Sequence, residues 1–283
     1  MANYTAADIK ALRERTGAGM LDVKKALDEA QGDSDKALEL IRVKGLKGVA
    51  KREGRSTSEG LVALVVEPSA TTEGEIAQII ELNCETDFVA KNDAFISLAD
   101  RVLAAAAKAA ARDADAALAA ETDGETVQAV IDGTAATLGE KIQLRRTERV
   151  SGEKITSYLH RTAKDLPPSI GVLVVTDAAG AAVAKDIAQH VAALSPAYLT
   201  RDDVPADVVE NERRIAEETA RGEGSNKPEH IIAKIAENRL NKFYEDVVLL
   251  DQPLAKDPSK KVGQVLAEAK GSISGFVRYR VGA

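Results

Sequence analysis

Apolar positions along the chain follow two periodicities, and the points where one gives way to the other mark its parts. Over residues 1–45 the spacing is helical. Ile9 and Leu12 share a face, Met20, Leu21, Val23 and Leu27 form a second stripe, and Leu38, Leu40 and Ile41 a third. Three short helices around a thin core are predicted. Thr5-Ala6-Ala7-Asp8 reads as a capping box with Asp in place of Glu, Gly17 as a left-handed stop, and Gly32-Asp33 as the joint between the second and third helices. Leu21 reads first as a core residue and Met20 as open to either side, since both follow a glycine-opened helix start. Residues 46–60 lose the periodicity and gather Gly, Ser, Lys and Arg, which reads as a linker with a helical start.

From Gly60 the period shortens. Segments 61–66 and 75–82 read as an antiparallel strand pair, followed by a long helix capped by Asn92 or Asp93 with Phe95, Leu98, Val102 and Leu103 on its buried face. A further helix over 126–138 stops at Gly139, and 142–146 is a third strand, which closes a core subdomain at 61–150. The order then repeats: strands at 155–160 and 169–175, and a helix carrying Val183, Ile187, Val191 and Leu194 that ends before Pro196. This second subdomain begins at 151–202. Residues 203–243 are strongly charged with sparse apolar positions and turn at Gly222 and Gly224, which suggests an antiparallel helical hairpin standing out as an arm. Residues 244–283 complete the second subdomain: 243–250 returns to strand character, 262–269 is helical, and 275–281 is a last strand. The fold class is therefore α+β, with a duplicated strand-strand-helix core, antiparallel sheets, a small helical N-terminal domain and a protruding hairpin.

One stretch organises the rest. Gln78-Ile79-Ile80-Glu81-Leu82-Asn83-Cys84 alternates like a half-buried strand, and Glu85-Thr86-Asp87 then marks the chain leaving its sheet. Phe88 follows in that polar setting, in a chain with four Phe, five Tyr and no Trp. The ring either folds back onto its own core or stands out, beside a carboxylate, as a rigid wedge aimed at a partner.

Composition narrows the chemistry. A net charge of −7 argues against binding nucleic acid through its phosphates, and Cys84, the lone cysteine, fits a reducing compartment. No apolar run reaches the length of a membrane span and no signal or transit character marks the N-terminus, so a cytoplasmic protein is expected. Gly17-Ala18-Gly19-Met20-Leu21-Asp22 fails as a dinucleotide fingerprint, because Asp22 stands where the third glycine belongs and a helix precedes it. There is no phosphate loop; His160, His190 and His230 lack metal-ligand spacing; and Gly271-Ser272-Ile273-Ser274-Gly275 has Ile where a nucleophile elbow needs Ser. Cys84 reads as a buried, inert thiol rather than a nucleophile. No cofactor, no metal and no covalent chemistry are expected. A protein that aims a wedge at a partner and a helical adaptor with a dimerising arm both fit these features.

Longer motifs separate them. Arg13-Glu14-Arg15-Thr16-Gly17-Ala18-Gly19-Met20-Leu21-Asp22 and Asn83-Cys84-Glu85-Thr86-Asp87-Phe88-Val89 resemble the two signatures of the elongation factor Ts family. The resemblance continues through Ser157-Tyr158-Leu159-His160, Ile187-Ala188-Gln189-His190-Val191-Ala192 and Asp257-Pro258-Ser259-Lys260-Lys261-Val262-Gly263-Gln264, and so covers essentially the whole chain. It implies a ubiquitin-associated-like N-terminal domain and guanine nucleotide exchange on elongation factor Tu, with a homodimer formed through the hairpin. Carried over, Thr86, Asp87, Phe88 and Val89 disturb the Mg²⁺ and nucleotide site of that partner, and Arg13, Met20, Leu21, Leu138 and His160 make further contacts. Leu138 where the family has Ile, and Leu21 where Met is common, keep an apolar contact. The hairpin tip at 222–226 and the link at 121–123 look variable, so the resemblance does not fix the geometry of the dimer.

Overall fold

The computed structural model describes residues 3–16, 18–70, 73–222 and 228–283. Three helices lead the chain: α1 (Ala6–Thr16), α2 (Met20–Glu29) and α3 (Ser34–Arg52). The capping box forms, with Thr5 N donating to Asp8 Oδ2 at 2.7 Å and Asp8 N to Thr5 Oγ1 at 3.2 Å. Asp33 caps α3 by accepting from Asp35 N and Lys36 N at 3.0 and 3.1 Å. Leu12, Val23, Ala26, Leu27 and Ala37 form the core of this module. The expected stop at Gly17 lies outside the described residues. Helix α3 runs through Arg52, so the helical start of the 46–60 stretch takes up nearly half of it.

Two sheets follow. In the first, β1 (Glu59–Pro68), β2 (Glu75–Cys84) and β5 (Gln143–Gly152) lie in the order β1-β2-β5. Between β2 and β5 come α4 (Asp87–Ala90), α5 (Asp93–Lys108), α6 (Ala114–Ala119), the two-residue strands β3 (Glu121–Thr122) and β4 (Glu125–Thr126), and α7 (Val127–Leu138). Asn92 caps α5 by accepting from Ala94 N at 2.9 Å, and Thr126 caps α7. In the second sheet, β6 (Lys154–His160), β7 (Ile170–Thr176) and β10 (Ile273–Arg280) lie in the order β10-β7-β6. Between β7 and β10 come α8 (Ala181–Leu194), α9 (Ala206–Gly222), α10 (Glu229–Val247), β8 (Pro253–Leu254), β9 (Asp257–Lys261) and α11 (Val262–Glu268). Each sheet thus places the second strand of a hairpin in its centre and receives its third strand after an excursion through helices. That is the connectivity the repeated strand-strand-helix pattern requires.

The sheets stack face to face. Val62, Ala77 and Ile79 of the first meet Ile155, Leu173 and Val277 of the second. Helices cover both outer faces: α5 and α7 pack on Ile80, Leu82 and Cys84, and α8 and α11 on Val172 and Val174. This four-layer order corrects the half-buried reading of β2, which is covered on both faces from Ala77 to Cys84. Its polar residues are buried and bonded rather than solvated. Gln78 Nε2 donates to Ala111 O and Thr147 Oγ1 at 2.9 and 2.7 Å. Glu81 accepts from Arg146 Nε at 2.6 Å and from Gly282 N at 3.1 Å.

A second correction concerns 243–250, which is helix up to Val247. Aromatic and β-branched residues suit a strand, yet Ala236, Leu240, Tyr244 and Val247 recur at spacings of four, four and three, on one helical face. Tyr244 lies under the Arg201 guanidinium at 4.5 Å, and only at Val248 does the chain extend, bridging to Tyr198. Helices α9 and α10 pack through Ala216, Ala220, Ile232, Ala236 and Leu240, so small residues bring the pair together with few large ones. Of the turn at 222–226, residues 223–226 lie outside the described residues.

Candidate functional site

The site grows from the end of β2. Glu85 leaves the sheet, and Thr86, extended at φ −129° and ψ 156°, caps the single turn α4, its hydroxyl accepting from Val89 N at 3.4 Å. Four residues of helix have almost no stability of their own. Two contacts from elsewhere supply it. Val89 and Ala90 are buried in the first core, which nails the inner side of the turn. On the outer side, the Glu140 carboxylate accepts from Glu85 N at 3.1 Å, Thr86 N at 3.0 Å and Thr86 Oγ1 at 2.6 Å. Glu85 returns the arrangement, accepting from Lys141 N at 2.7 Å and pairing with Arg55 at 3.2 Å. Glu140 reaches this position because α7 ends at Gly139 with φ 81°, a left-handed cap that glycine adopts without steric cost.

Phe88, at the apex of that turn, is 73% exposed. The ring does not fold back onto its core. Its near neighbour is Lys91, whose ammonium lies 4.8 Å from the ring centroid and 3.7 Å from the Asp165 carboxylate. Asp165 belongs to the β6–β7 loop, so both subdomains contribute to the surface around Phe88. Asp87, half-buried, stands beside the ring. Of the four neighbours taken together from the sequence, Phe88 faces out, Asp87 and Thr86 lie at the rim, and Val89 faces in.

Other residues singled out from the sequence occupy three further places. His160, exposed at the end of β6, lies at the start of the loop that carries Asp165, and its Nδ1 is 3.1 Å from Tyr158 Oη. Leu138, half-buried, packs against the first core and directly precedes Gly139 and Glu140. Arg13 is exposed on α1. Met20 and Leu21 are 60% and 72% exposed at the start of α2. The core reading of Leu21 is thus overturned: the buried stripe of α2 is Val23, Ala26 and Leu27, while Leu21 falls on the face of Lys24, Lys25 and Asp28. Two bare apolar side chains thus stand side by side at the start of α2.

Cys84 ends β2 fully buried, its thiol donating to Thr86 O at 3.2 Å. Burial, reinforced by the negative charges of Glu140 and Glu59, pushes that thiol up to about 12, so it stays protonated at neutral pH and is a poor nucleophile. Among the described residues, no group of three or more His, Cys, Asp or Glu side chains could hold a metal ion, and no helix is long and apolar enough to cross a membrane. Sequence reasoning missed Glu140 and Lys91. The one local signal for Glu140 is its place just past a helix-ending glycine; its bonds to residues 85 and 86 span more than fifty positions.

A family model described as Elongation factor TS matches residues 85–283. The chain is 66% identical over 283 residues to the elongation factor Ts of Beutenbergia cavernae, with all of both chains covered. It is 59% identical over 285 residues to that of Micrococcus luteus and 58% over 284 residues to that of Kocuria rhizophila, again with full coverage of each chain. On the strength of these matches, the chain belongs to the elongation factor Ts family of translation elongation factors.

Proposed function

We propose that this chain is a guanine nucleotide exchange factor that binds elongation factor Tu carrying GDP, disturbs its Mg²⁺ and nucleotide site, and so promotes GDP release during elongation in the cytoplasm. The observation that carries the reading is Phe88: a rigid aromatic, 73% exposed, raised on a braced turn beside Asp87 in a chain of this family. An exchange factor needs no covalent chemistry. It needs to bind the nucleotide-free partner better than the nucleotide-bound one, and by reciprocity it then weakens nucleotide binding by the same factor. Mg²⁺ demands near-ideal octahedral coordination, so a ring and a carboxylate pressed into its surroundings displace it readily. Once the metal leaves, the diphosphate loses much of its charge neutralisation.

In this reading Phe88 is the wedge, Asp87 pulls on the structure beside it, Thr86 and Val89 hold the turn, and Arg13, Met20 and Leu21 grip the partner's nucleotide-binding domain. His160 and Leu138 add contacts around the wedge. The α9–α10 hairpin, with Ile215 and Ile231 exposed, is the surface through which two copies would pair. The test is stopped-flow release of a fluorescent GDP from elongation factor Tu. Release should accelerate and saturate with this protein, and Phe88→Ala should slow the saturated rate roughly thirtyfold, the size set by an anchor worth about 2 kcal/mol. Full acceleration by Phe88→Ala would remove the wedge, and no acceleration by the unaltered chain would remove exchange itself.

A further inference from the structure

We infer that Glu140 is a positioning residue, which, with Glu85 facing it, holds the turn at residues 86–89 in the form that presents Phe88; this rests on the exchange reading above. One carboxylate takes three donors from two consecutive residues, Glu85 N, Thr86 N and Thr86 Oγ1, at 3.1, 3.0 and 2.6 Å. Such charge-assisted bonds are shorter and stronger than neutral ones. Thr86 is also the cap of α4, so fixing its hydroxyl from one side fixes what it can accept from Val89 N on the other. A second bond of the clasp runs the opposite way, from Lys141 N to Glu85 Oε1 at 2.7 Å, and the Lys141 ammonium donates to Glu53 O at 2.6 Å.

The reason for a clasp lies in the ring it serves. A large apolar side chain left in water gains by turning onto neighbouring apolar surface. A one-turn helix does not resist that by itself. Val89 and Ala90 secure only the inner side of the turn, and the Glu140 bonds secure its entry. None of these bonds lies inside either core, so their loss loosens the presentation of Phe88 while the sheets stay packed. This separates positioning from stability.

The test compares Glu140→Ala, Glu140→Gln, Phe88→Ala and the double variant Glu140→Ala/Phe88→Ala in the full chain. It uses saturation curves for release of fluorescent GDP from elongation factor Tu and amide hydrogen exchange across 85–89 in the free protein. The saturated rate should fall about tenfold in Glu140→Ala, as the loss of hydrogen bonds to a charged group implies. Glu140→Gln, which keeps an acceptor but not the charge, should recover part of it. The half-saturating concentration should barely move, and in the Phe88→Ala background the same change should cost less than about twofold, because coupled residues are not additive. The amides of Thr86 and Val89 should exchange faster in Glu140→Ala. An undiminished rate in Glu140→Ala, or a penalty that multiplies in full with that of Phe88→Ala, would overturn the inference. If Phe88→Ala alone exchanged at the normal rate, the wedge reading would fail; faster amide exchange in Glu140→Ala would still uphold the clasp, and unchanged protection would overturn it too.

Discussion

After β2 the chain leaves its sheet through Glu85 and Thr86 into α4; after β7 it leaves through Asp177 and Gly180 into α8. The two corners hold the same place in their subdomains, and each is tied by a carboxylate to the segment just before the third strand of its sheet. The second corner is tied by its own acid alone, the first by acids from both sides. In the second subdomain the acid belongs to the corner: Asp177 accepts from Gly180 N at 2.7 Å and from Ser272 N and Oγ at 3.0 and 2.7 Å. It pulls the returning chain against itself, so closely that a Cβ added at Gly271 would lie 2.3 Å from Gly180 Cα. In the first subdomain the returning chain supplies an acid as well: Glu140 accepts from Glu85 N, Thr86 N and Thr86 Oγ1, while Glu85 of the corner accepts from Lys141 N. Asp87 is left at the rim of that corner and Phe88 at the surface. A repeated frame can pack one copy of a corner shut and prop the other open by adding a carboxylate from across the gap.

That contrast can be broken at its strongest point first. Gly271→Ala should destabilise the protein by about 3 kcal/mol in denaturant unfolding, since backbone rather than a movable side chain stands in the way. GDP release per folded molecule should stay normal, because Phe88 and the other proposed contacts lie outside the closed corner. A neutral result would mean that the two corners do not differ in packing. Next, Gly139→Ala forces a left-handed backbone onto a residue with a Cβ and should cost about 1 kcal/mol. Space is open around Gly139, so this is backbone strain alone, but it misplaces Glu140 and should slow exchange as well.

The second subdomain also carries a fastening that responds to pH. The second subdomain holds α8 with a buried histidine: Ala255 N donates to His190 Nδ1 at 3.0 Å, which leaves Nε2 as the donor to Gln252 Oε1 at 2.8 Å. Gln252 Nε2 in turn donates to Asp246 O at 2.8 Å, at the foot of the hairpin. Burial holds the His190 pKa below its ordinary value, so the neutral ring is favoured in the folded state. The unfolded chain then binds the extra proton, and stability present above about pH 6.5 declines as pH falls below it. The unfolding midpoint should drop between about pH 7.5 and about pH 5.5, and His190→Asn should reduce that drop. An equal drop in the variant would assign the pH response elsewhere. Smallest of all is the expected effect of Phe88→Ala on folding, within about 0.5 kcal/mol, as for other exposed positions. A larger loss would show that the ring packs and is not simply displayed.

Much of this architecture was legible in the sequence because each element carried its own punctuation. Thr5 and Asp8, Asn92, Thr126 and Gly139 state where helices begin and end, and Phe88 is conspicuous because so few aromatics surround it. What escaped depends on pairing across distance. The polar residues of β2 look solvated until a second sheet is known to lie on them. Phe243, Tyr244 and Val247 suit a strand by type and a helix by spacing, and the longer-range stripe with Leu240 decides. Leu21 reads as core from hydrophobicity alone, and only the position of Val23, Ala26 and Leu27 shows that it faces away. Apart from the helix-ending Gly139 before it, nothing near Glu140 announces that it holds a turn more than fifty positions earlier.

Helix α3 belongs to two bodies at once. Ala37, Leu38 and Ile41 pack with α1 and α2, while Gly45 lies so near Ala136 that an added Cβ would be 2.4 Å from it, and Arg52 Nη1 donates to Ala135 O at 3.3 Å. At 19 residues it is a rod of about 28 Å. The module bearing Met20 and Leu21 therefore does not hang from a string. It is mounted on a rod that rests on α7, the same helix whose end delivers Glu140 to the turn that carries Phe88.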